Sequence, residues 1–229
     1  MKMFHKIVFA TDLSENSQKA LSWAKFLSKK AGSRLEVLHV VDGVSPLYKV
    51  LLGWTTILDE NSNNYKHKIF SKLEEIKKEL LNDGINSVDI FLKEGSPHWE
   101  IADFLDYSRA SLVILANSSK GEEIGLTAYE LSCISPSNVL IIKCNKEPKI
   151  DKILVGTDFS RYSKSAFILS LAIARTFSSK VYNVHIFDNK VINYIPSHLL
   201  DELFLELELE LTKVVEGIEI EPVVIKEGG

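Results

Sequence analysis

The sequence is poor in cysteine, and this scarcity excludes two kinds of protein. Its 229 residues include two cysteines, Cys133 and Cys144. Their spacing provides neither the ligand pairs of a metal site nor the framework of a disulfide-rich secreted domain. Because free cysteine is among the most buried residue types, we expect both side chains to be plain buried thiols.

Long apolar runs and clusters of basic residues are also missing. No apolar run reaches the roughly 18 residues that a membrane-spanning helix needs, and the first residues pass at once into a strand. The 27 basic residues are scattered and are outnumbered by 31 acidic ones, so no nucleic-acid-binding face is predicted. With 45% hydrophobic residues, the chain is expected to be a globular cytoplasmic protein that binds neither membrane nor nucleic acid.

The chain does contain an internal repeat. Residues 6–42 align without a gap on residues 152–188, with ten identities that include most of TDLS at 11–14 and TDFS at 157–160. The offset of 146 residues is too long for a solenoid and matches a duplicated domain. We therefore predict a complete domain at residues 1–146 and a second copy at 147–229.

The second copy is shorter than the first. After the polar linker NKEPKID at 145–151, it supplies counterparts of the first three strands, and KEG at 226–228 matches KEG at 93–95. Counterparts of residues 96–144 are absent. The alternating stretch LFLELELELT at 203–212 is compatible with a strand, but its place in the repeat and its Leu and Glu content favour a helix. The second copy is thus expected to be a partial domain.

The first copy alternates strand-like and helix-like segments. Short apolar runs predict strands at 6–10, 35–41, 88–95, 111–116 and 138–144. Apolar residues at spacings of three and four predict three intervening helices, and a fourth helix is predicted at 126–133. The apolar residues of the three helices are, in order, Ala20, Trp23, Ala24, Leu27 and Ala31; Tyr65, Ile69, Leu73, Ile76 and Leu80; and Trp99, Ile101, Ala102 and Leu105. This alternation predicts an α/β fold, a doubly wound parallel sheet, and we take its strand order to be 3-2-1-4-5.

In such a sheet the ligand crevice lies beyond the carboxyl ends of the strands, where the winding direction reverses, here between strands one and four. The residues expected there are Thr11 and Asp12 after strand one, Val41 at the end of strand two, and Ala116, Asn117, Ser118 and Ser119 after strand four. A carboxylate beside small residues suits a ribose or an amine on one side and phosphate at a helix N-terminus on the other. The alternative, that Asp12 only satisfies backbone amides at the turn into helix one, stays open.

At these residues the chain resembles the universal stress protein family. The resemblance is carried by the D-x-S turn at 11–14 and 157–160, the run Val40-Val41-Asp42, the turn Glu94-Gly95-Ser96-Pro97, and Pro136 before strand five. It implies a flavodoxin-like fold of the adenine nucleotide alpha hydrolase type and no established catalytic turnover. In one branch of the family it implies ATP binding through the strand-one Asp, the strand-two Val and a G-x2-G-x9-G-[ST] loop.

The phosphate loop departs from that family pattern. When the alignment is anchored on Pro136, Ala116 and Ser119 take the places of the first two glycines, and the loop is four residues shorter. Gly125 takes the place of the final glycine, followed by Leu126 instead of Ser or Thr. Because Ala and Ser carry a Cβ where phosphates approach the backbone, we predict that ATP, a possible cofactor, binds weakly at most.

Two glycines still allow a tight turn in this loop. Gly121 and Gly125 can reach positive φ without steric cost, and we expect Gly125 to do so at the turn into helix four. Glu122 and Glu123, which lie between these two glycines, would repel a triphosphate by like charge.

Three functions are compatible with this pattern. The first is a cytoplasmic stress-response or regulatory binding module without catalysis and with a degenerate phosphate loop. The second is an ATP-binding, slowly hydrolysing member. The third is a phosphoacceptor receiver, which needs an acidic pair after strand one and an Asp after strand three, whereas Asp12 has no adjacent acid and strand three ends in Lys93 and Glu94.

Strand five, at 139–143, has no counterpart in the second copy. We expect this strand to pair with a second chain and give a homodimer, or else the open edge of the second copy to be covered by the first domain or another molecule. A protein partner and an adenine nucleotide are the other possible partners.

Overall fold

A computed structural model of the chain describes residues 4–43, 58–117, 123–143, 147–158, 160–187, 196, 199, 202 and 220–226. The chain divides into two compact units, Met1–Pro148 and Lys149–Gly229. Ser119, Gly121, Cys144 and the segment 203–212 lie outside the described residues, so the expectations placed on them stay predictions.

The first unit is a five-stranded parallel sheet with helices between its strands. Its elements are β1 (Lys6–Ala10), α1 (Glu15–Ala31), β2 (Arg34–Asp42), α2 (Leu58–Asn82), β3 (Val88–Gly95), α3 (Pro97–Ser108), β4 (Leu112–Ala116), α4 (Leu126–Ile134) and β5 (Asn138–Ile142). The strand order is β3-β2-β1-β4-β5 and every neighbouring pair is parallel. The predicted order is confirmed.

Local sequence explains where α1 begins and ends. Ser14 is the N-cap, and its Oγ accepts a hydrogen bond from the backbone N–H of Ser17 at 3.3 Å. At the other end Gly32 adopts φ 61°, the left-handed conformation that closes a helix and that glycine reaches most easily. The helix that follows β1 is therefore bounded by one serine and one glycine.

The central strand is buried on both faces. Val8 and Ala10 pack with Leu38 against α3 and α4, and Ile101, Phe104, Leu105 and Leu131 complete that side of the core. Phe104 and Phe91 have their ring centroids 4.7 Å apart. Two sequence expectations are corrected here: the Trp99 side chain is 62% exposed and Cys133 is exposed, because both face solvent on helices whose core positions are taken by other residues.

A buried ion pair lies at the amino-terminal edge of the sheet. The Lys6 Nζ is 3.0 Å from Glu36 Oε1 and donates a hydrogen bond to the Ser108 carbonyl oxygen at 2.6 Å. Glu36 is buried, and its Oε2 has no hydrogen-bond partner among the described residues. Lys6 thus provides the ion-pair partner of the buried Glu36 side chain.

The second unit is a three-stranded parallel sheet with one long described helix. Its elements are β6 (Lys152–Gly156), α5 (Arg161–Phe177), β7 (Lys180–Phe187) and β8 (Ile220–Lys226), and the strand order is β6-β7-β8. Ser160 caps α5 by accepting a hydrogen bond from Ser163 N–H at 3.2 Å, as Ser14 does for α1. Tyr182 stands where the first unit has Glu36, with Lys152 Nζ 6.0 Å from its ring centroid. Among the described residues, neither unit contains a helix long and apolar enough to cross a membrane.

Candidate functional site

The turn after β1 is organised around the Asp12 carboxylate. Asp12 Oδ1 accepts hydrogen bonds from Ser14 N–H at 3.0 Å and from the Ser17 hydroxyl. Thr11 Oγ1 accepts from Leu13 N–H at 3.0 Å, and Leu13 adopts φ 61°, a conformation that side chains rarely reach. Both of these bonds end on Oδ1. Asp12 therefore fixes the backbone of the turn into α1.

A histidine fixes the backbone of the same turn. The Nδ1 of His39, which is buried, lies 2.7 Å from the Thr11 carbonyl oxygen. Because a carbonyl can only accept, Nδ1 carries the proton. His185 makes the same bond to the Thr157 carbonyl oxygen at 2.6 Å. Both histidines are therefore bonded within the protein.

The surroundings keep Asp12 ionised. Burial raises the pKa of Asp12, but the hydrogen bonds from Ser14 and Ser17 outweigh it, and the pKa lies below its ordinary value of 3.8. In the second unit the hydrogen bond from Ser160 lowers the pKa of Asp158 to about 2. Each turn thus presents a negative charge at neutral pH.

Replacing Ser17 with alanine is expected to raise the pKa of Asp12, because the hydroxyl that stabilises the charged form is lost while the burial remains. A folded-state pKa below 3.8 stabilises the protein above that pH, and the contribution disappears as the pH falls through the folded-state value. The Ser17→Ala variant should therefore lose less stability on acidification than the wild type does. A carboxyl-carbon NMR titration measures the pKa directly. Ser22→Ala, on the same helix but bonded to the Lys19 carbonyl oxygen, is the control and should leave the Asp12 titration unchanged.

A cavity of about 140 Å³ lies beside this turn, at the carboxyl ends of β1, β2 and β4. Its described lining residues are Ala10, Thr11, Asp12, Ser17, Leu38, Val40, Pro97, Ile101, Leu115, Ala116, Thr127 and Ala128. Asp12 is the one charged residue among them. The cavity is smaller than the roughly 300–1,000 Å³ of ligand pockets in general, and it lies at the switch point predicted from the strand order.

The structure brings together some of the predicted site residues. Thr11, Asp12 and Ala116 line the cavity, whereas Val41 does not and Val40 takes its place. Successive side chains of a strand point to opposite faces, so Val40 shares the face of Leu38 and Val41 faces away. This alternation was visible in the sequence and could have identified Val40. The sequence contains no comparable pattern that would have identified the other polar or turn residues of the lining, which are Ser17, Pro97 and Thr127.

Asn117 closes the base of the loop after β4. Its Nδ2 donates to the Glu123 carbonyl oxygen at 2.9 Å, and its Oδ1 accepts from Gly125 N–H at 2.8 Å. Its backbone N–H donates to the Ile142 carbonyl oxygen at 2.8 Å. The amide of this buried side chain therefore holds the two ends of the loop together, and it is not among the residues that line the cavity.

Gly125 does not adopt the conformation expected of it. It is the N-cap of α4, with φ −62° and ψ 147°, an extended conformation that any residue adopts. The expectation of positive φ is wrong, because the turn is held by Asn117 and does not need a left-handed residue. Thr127, two residues later, brings a hydroxyl to the cavity from the first turn of α4.

A second concavity of about 520 Å³ lies between α1 and α2, on the other face of the sheet. Its charged lining residues are Lys25, Lys72, Glu75 and Glu79. Lys25 is already bound to Glu79 and lies 2.8 Å from Asp83 Oδ2. The described part of the chain contains no cluster of three or more His, Cys, Asp or Glu that could hold a metal ion. The cavity beside Asp12 is therefore the candidate site.

Known proteins that resemble this chain were found by sequence and by fold. The chain is 30% identical over 156 residues to universal stress protein MJ0577 of Methanocaldococcus jannaschii, an alignment that covers 62% of this chain and 96% of that protein. It is 28% identical over 149 residues to universal stress protein YxiE of Bacillus subtilis, covering 62% of this chain and all of that one (100%).

A crystal structure of a universal stress protein from Archaeoglobus fulgidus matches the fold with a TM-score of 0.74, covering 98% of this chain and 79% of that chain at 20% identity. Residues 3–129 match the sequence model that describes the universal stress protein family. Because this match spans more than half of the 229 residues, the chain belongs to the universal stress protein family.

Proposed function

We propose that the protein is a tandem universal stress protein that acts as a cytoplasmic regulatory binding module without catalysis. Residues 1–146 form the complete domain, and residues 147–229 represent a second copy by its first three strands. The tandem interpretation is supported by the repeated sequence and by the shared turn chemistry, in which Ser14 and Ser160 cap equivalent helices. It is also supported by the pairing offset, which is the same for Lys6 with Arg34 and for Lys152 with Lys180.

The observation that carries the proposal is the construction of the loop after β4. Phosphate cradles expose successive backbone N–H groups, and glycine allows a close approach to them. Here Ala116 places a Cβ on the cavity wall, and the side chain of Asn117 occupies the Gly125 N–H. The one charged lining residue, Asp12, is an anion at neutral pH. The Asp12 carboxylate would repel a triphosphate, and the described residues offer it few hydrogen-bond donors. Both points support a degenerate phosphate loop.

The second candidate is an ATP-binding member of the family, and one observation favours it. Gly125 gives α4 no side-chain cap, and Thr127 of its first turn lines the cavity. An uncapped helix N-terminus attracts anions through its unpaired N–H groups and its dipole. The Asp12 carboxylate, which lines the same cavity, would then serve the ribose.

Calorimetric titration with ATP and magnesium separates the two candidates. We expect a dissociation constant above about 10 μM, which corresponds to less than about 7 kcal/mol of binding free energy. Asp12→Ala tests the crevice, and Asp158→Ala, at the equivalent turn of the second unit, is the matched control. Tighter binding that Asp12→Ala weakens and Asp158→Ala leaves unchanged would establish the ATP-binding candidate instead.

A further inference from the structure

The cavity beside Asp12 has an apolar inner wall and a charged mouth. Its inner wall consists of buried core residues, namely Ala10, Leu38, Leu115 and Ala128. Asp12, by contrast, is exposed, and it is the one charged residue of the described lining. The cavity thus has a carboxylate on its solvent side and hydrocarbon on its inner side.

The turn beside the cavity directs its hydrogen-bond donors at its own acceptors. Asp12 N–H donates to Ser17 Oγ at 3.2 Å, and Leu13 N–H donates to Thr11 Oγ1 at 3.0 Å. Ser14 N–H and the Ser17 hydroxyl both donate to Asp12 Oδ1. Because an anion needs donors from the protein, whereas an ammonium group brings donors of its own, this turn favours a cationic ligand.

We propose that the cavity binds a small organic ammonium ion, with its N–H groups on the Asp12 carboxylate and a short hydrocarbon chain against the core residues of the inner wall. The inference rests on the proposed function, because it names the ligand class of the same binding site. An alkylamine is protonated at neutral pH, as a lysine side chain is, and Asp12 is ionised there. Hydrogen bonds between such opposite charges are the strong ones.

The volume of the cavity limits the hydrocarbon part of the ligand. The cavity measures about 140 Å³, and an apolar protein cavity of about 150 Å³ holds one benzene ring. We therefore expect a chain of about four or five carbon atoms beside the ammonium group. Each CH₂ group that the chain buries should raise the affinity by up to about fourfold.

Two helix N-termini beside the cavity oppose a cation. Ser17 of α1 and Thr127 of α4 line the cavity, and a helix N-terminus carries about half a positive charge. The α1 terminus is capped by Ser14, whereas α4 has no side-chain cap. The half charge of α4 is weaker than the full charge of Asp12, so the balance favours a cation, and a carboxylate probe tests this balance directly.

NMR titration of the full chain with butylammonium, butanol and butyrate tests the inference, because the three probes have similar shapes and different charges. We expect butylammonium to bind in the millimolar range and to shift the Asp12 carboxyl carbon and the Ala128 amide. Butanol should bind at least about tenfold more weakly, since it lacks the charge-assisted hydrogen bond, and butyrate should not bind. Affinity should rise from methylammonium to butylammonium and stop rising by hexylammonium.

Asp12→Asn is the decisive variant, because its Oδ1 can still accept from Ser14 N–H and the Ser17 hydroxyl while the charge is removed. It should weaken butylammonium binding by at least about tenfold and leave butanol binding unchanged. Asp106→Asn is the matched control, since Asp106 is exposed on α3 and lies outside the described lining. The tryptophan fluorescence transition checks that both variants fold, and the chain-length series needs no variant at all.

Three results would overturn the inference: equal binding of butylammonium and butanol, tighter binding of butyrate, or an affinity that does not depend on chain length. An equal loss of affinity in Asp12→Asn and Asp106→Asn would overturn it as well. The ATP titration reports on the proposed function separately. Weak ATP binding without alkylammonium binding would overturn this inference alone, whereas tight ATP binding that depends on Asp12 would overturn the proposed function.

Discussion

Replacing Lys6 with methionine is expected to lower the free energy of unfolding of the first unit by about 3 kcal/mol. Removing one partner of a buried ion pair leaves an uncompensated charge, which typically costs about 3–5 kcal/mol. The Lys6 side chain keeps 18% exposure, against 6% for Glu36, so the lower end of that range applies. The other oxygen of Glu36, Oε2, already has no hydrogen-bond partner among the described residues, so the variant would leave the carboxylate without its ion-pair partner at Oε1 as well.

Tryptophan fluorescence during denaturant unfolding measures this loss in the first unit alone. Trp23, Trp54 and Trp99 are the tryptophans of the chain, and all three lie in residues 1–148. Replacing Glu36 with leucine as well should restore most of the stability, since apolar pairs of similar volume replace buried ion pairs at little cost. Lys152→Met, which removes a lysine above the Tyr182 ring in the second unit, should not change the fluorescence transition. If the Lys6→Met protein were as stable as the wild type, the Glu36 carboxylate would have to be hydrated by solvent in the variant, and the prediction would be wrong.

Replacing Asn117 with alanine is expected to destabilise the first unit by about 2–3 kcal/mol. Two hydrogen bonds contribute about 1 kcal/mol each, and a buried N–H without a partner costs about 1–3 kcal/mol. The affected group is the Gly125 N–H, which donates a hydrogen bond to Asn117 Oδ1 at 2.8 Å. The start of α4 should lose its fixed position.

Hydrogen exchange at the Gly125 amide provides a local measurement beside the fluorescence transition. Protection of this amide should fall in Asn117→Ala and be retained in Asn117→Asp, which keeps the acceptor. Asn138→Ala is the matched control: Asn138 is exposed and its Nδ2 donates to the Ser111 carbonyl oxygen at 2.9 Å, so its loss should cost well under 1 kcal/mol. Unchanged protection in Asn117→Ala would mean that the loop is held by other residues.

Much of the first unit could be predicted from the sequence. The bounds of β1 and β3 are those expected, β2 is longer by one residue at each end, and β5 ends two residues early, at Ile142. These elements depend on the period of apolar residues and on caps such as Ser14 and Gly32, and both are local properties of the chain. The doubly wound parallel sheet followed from the alternation of elements and the handedness of their crossovers, whereas this alternation is compatible with more than one strand order.

The sequence by itself determined the repeat, the alternation of strands and helices, and the position of Asp12 directly after the first strand, because each follows from spacing along the chain. Only the tertiary structure decided what the loop after β4 does. Asn117 and Gly125 meet across that loop, and this contact makes the expected glycine conformation unnecessary. It also decided that Leu154 is exposed where Val8 is buried. Burial depends on which distant segments cover a strand, and an apolar run has the same pattern whether or not they are there.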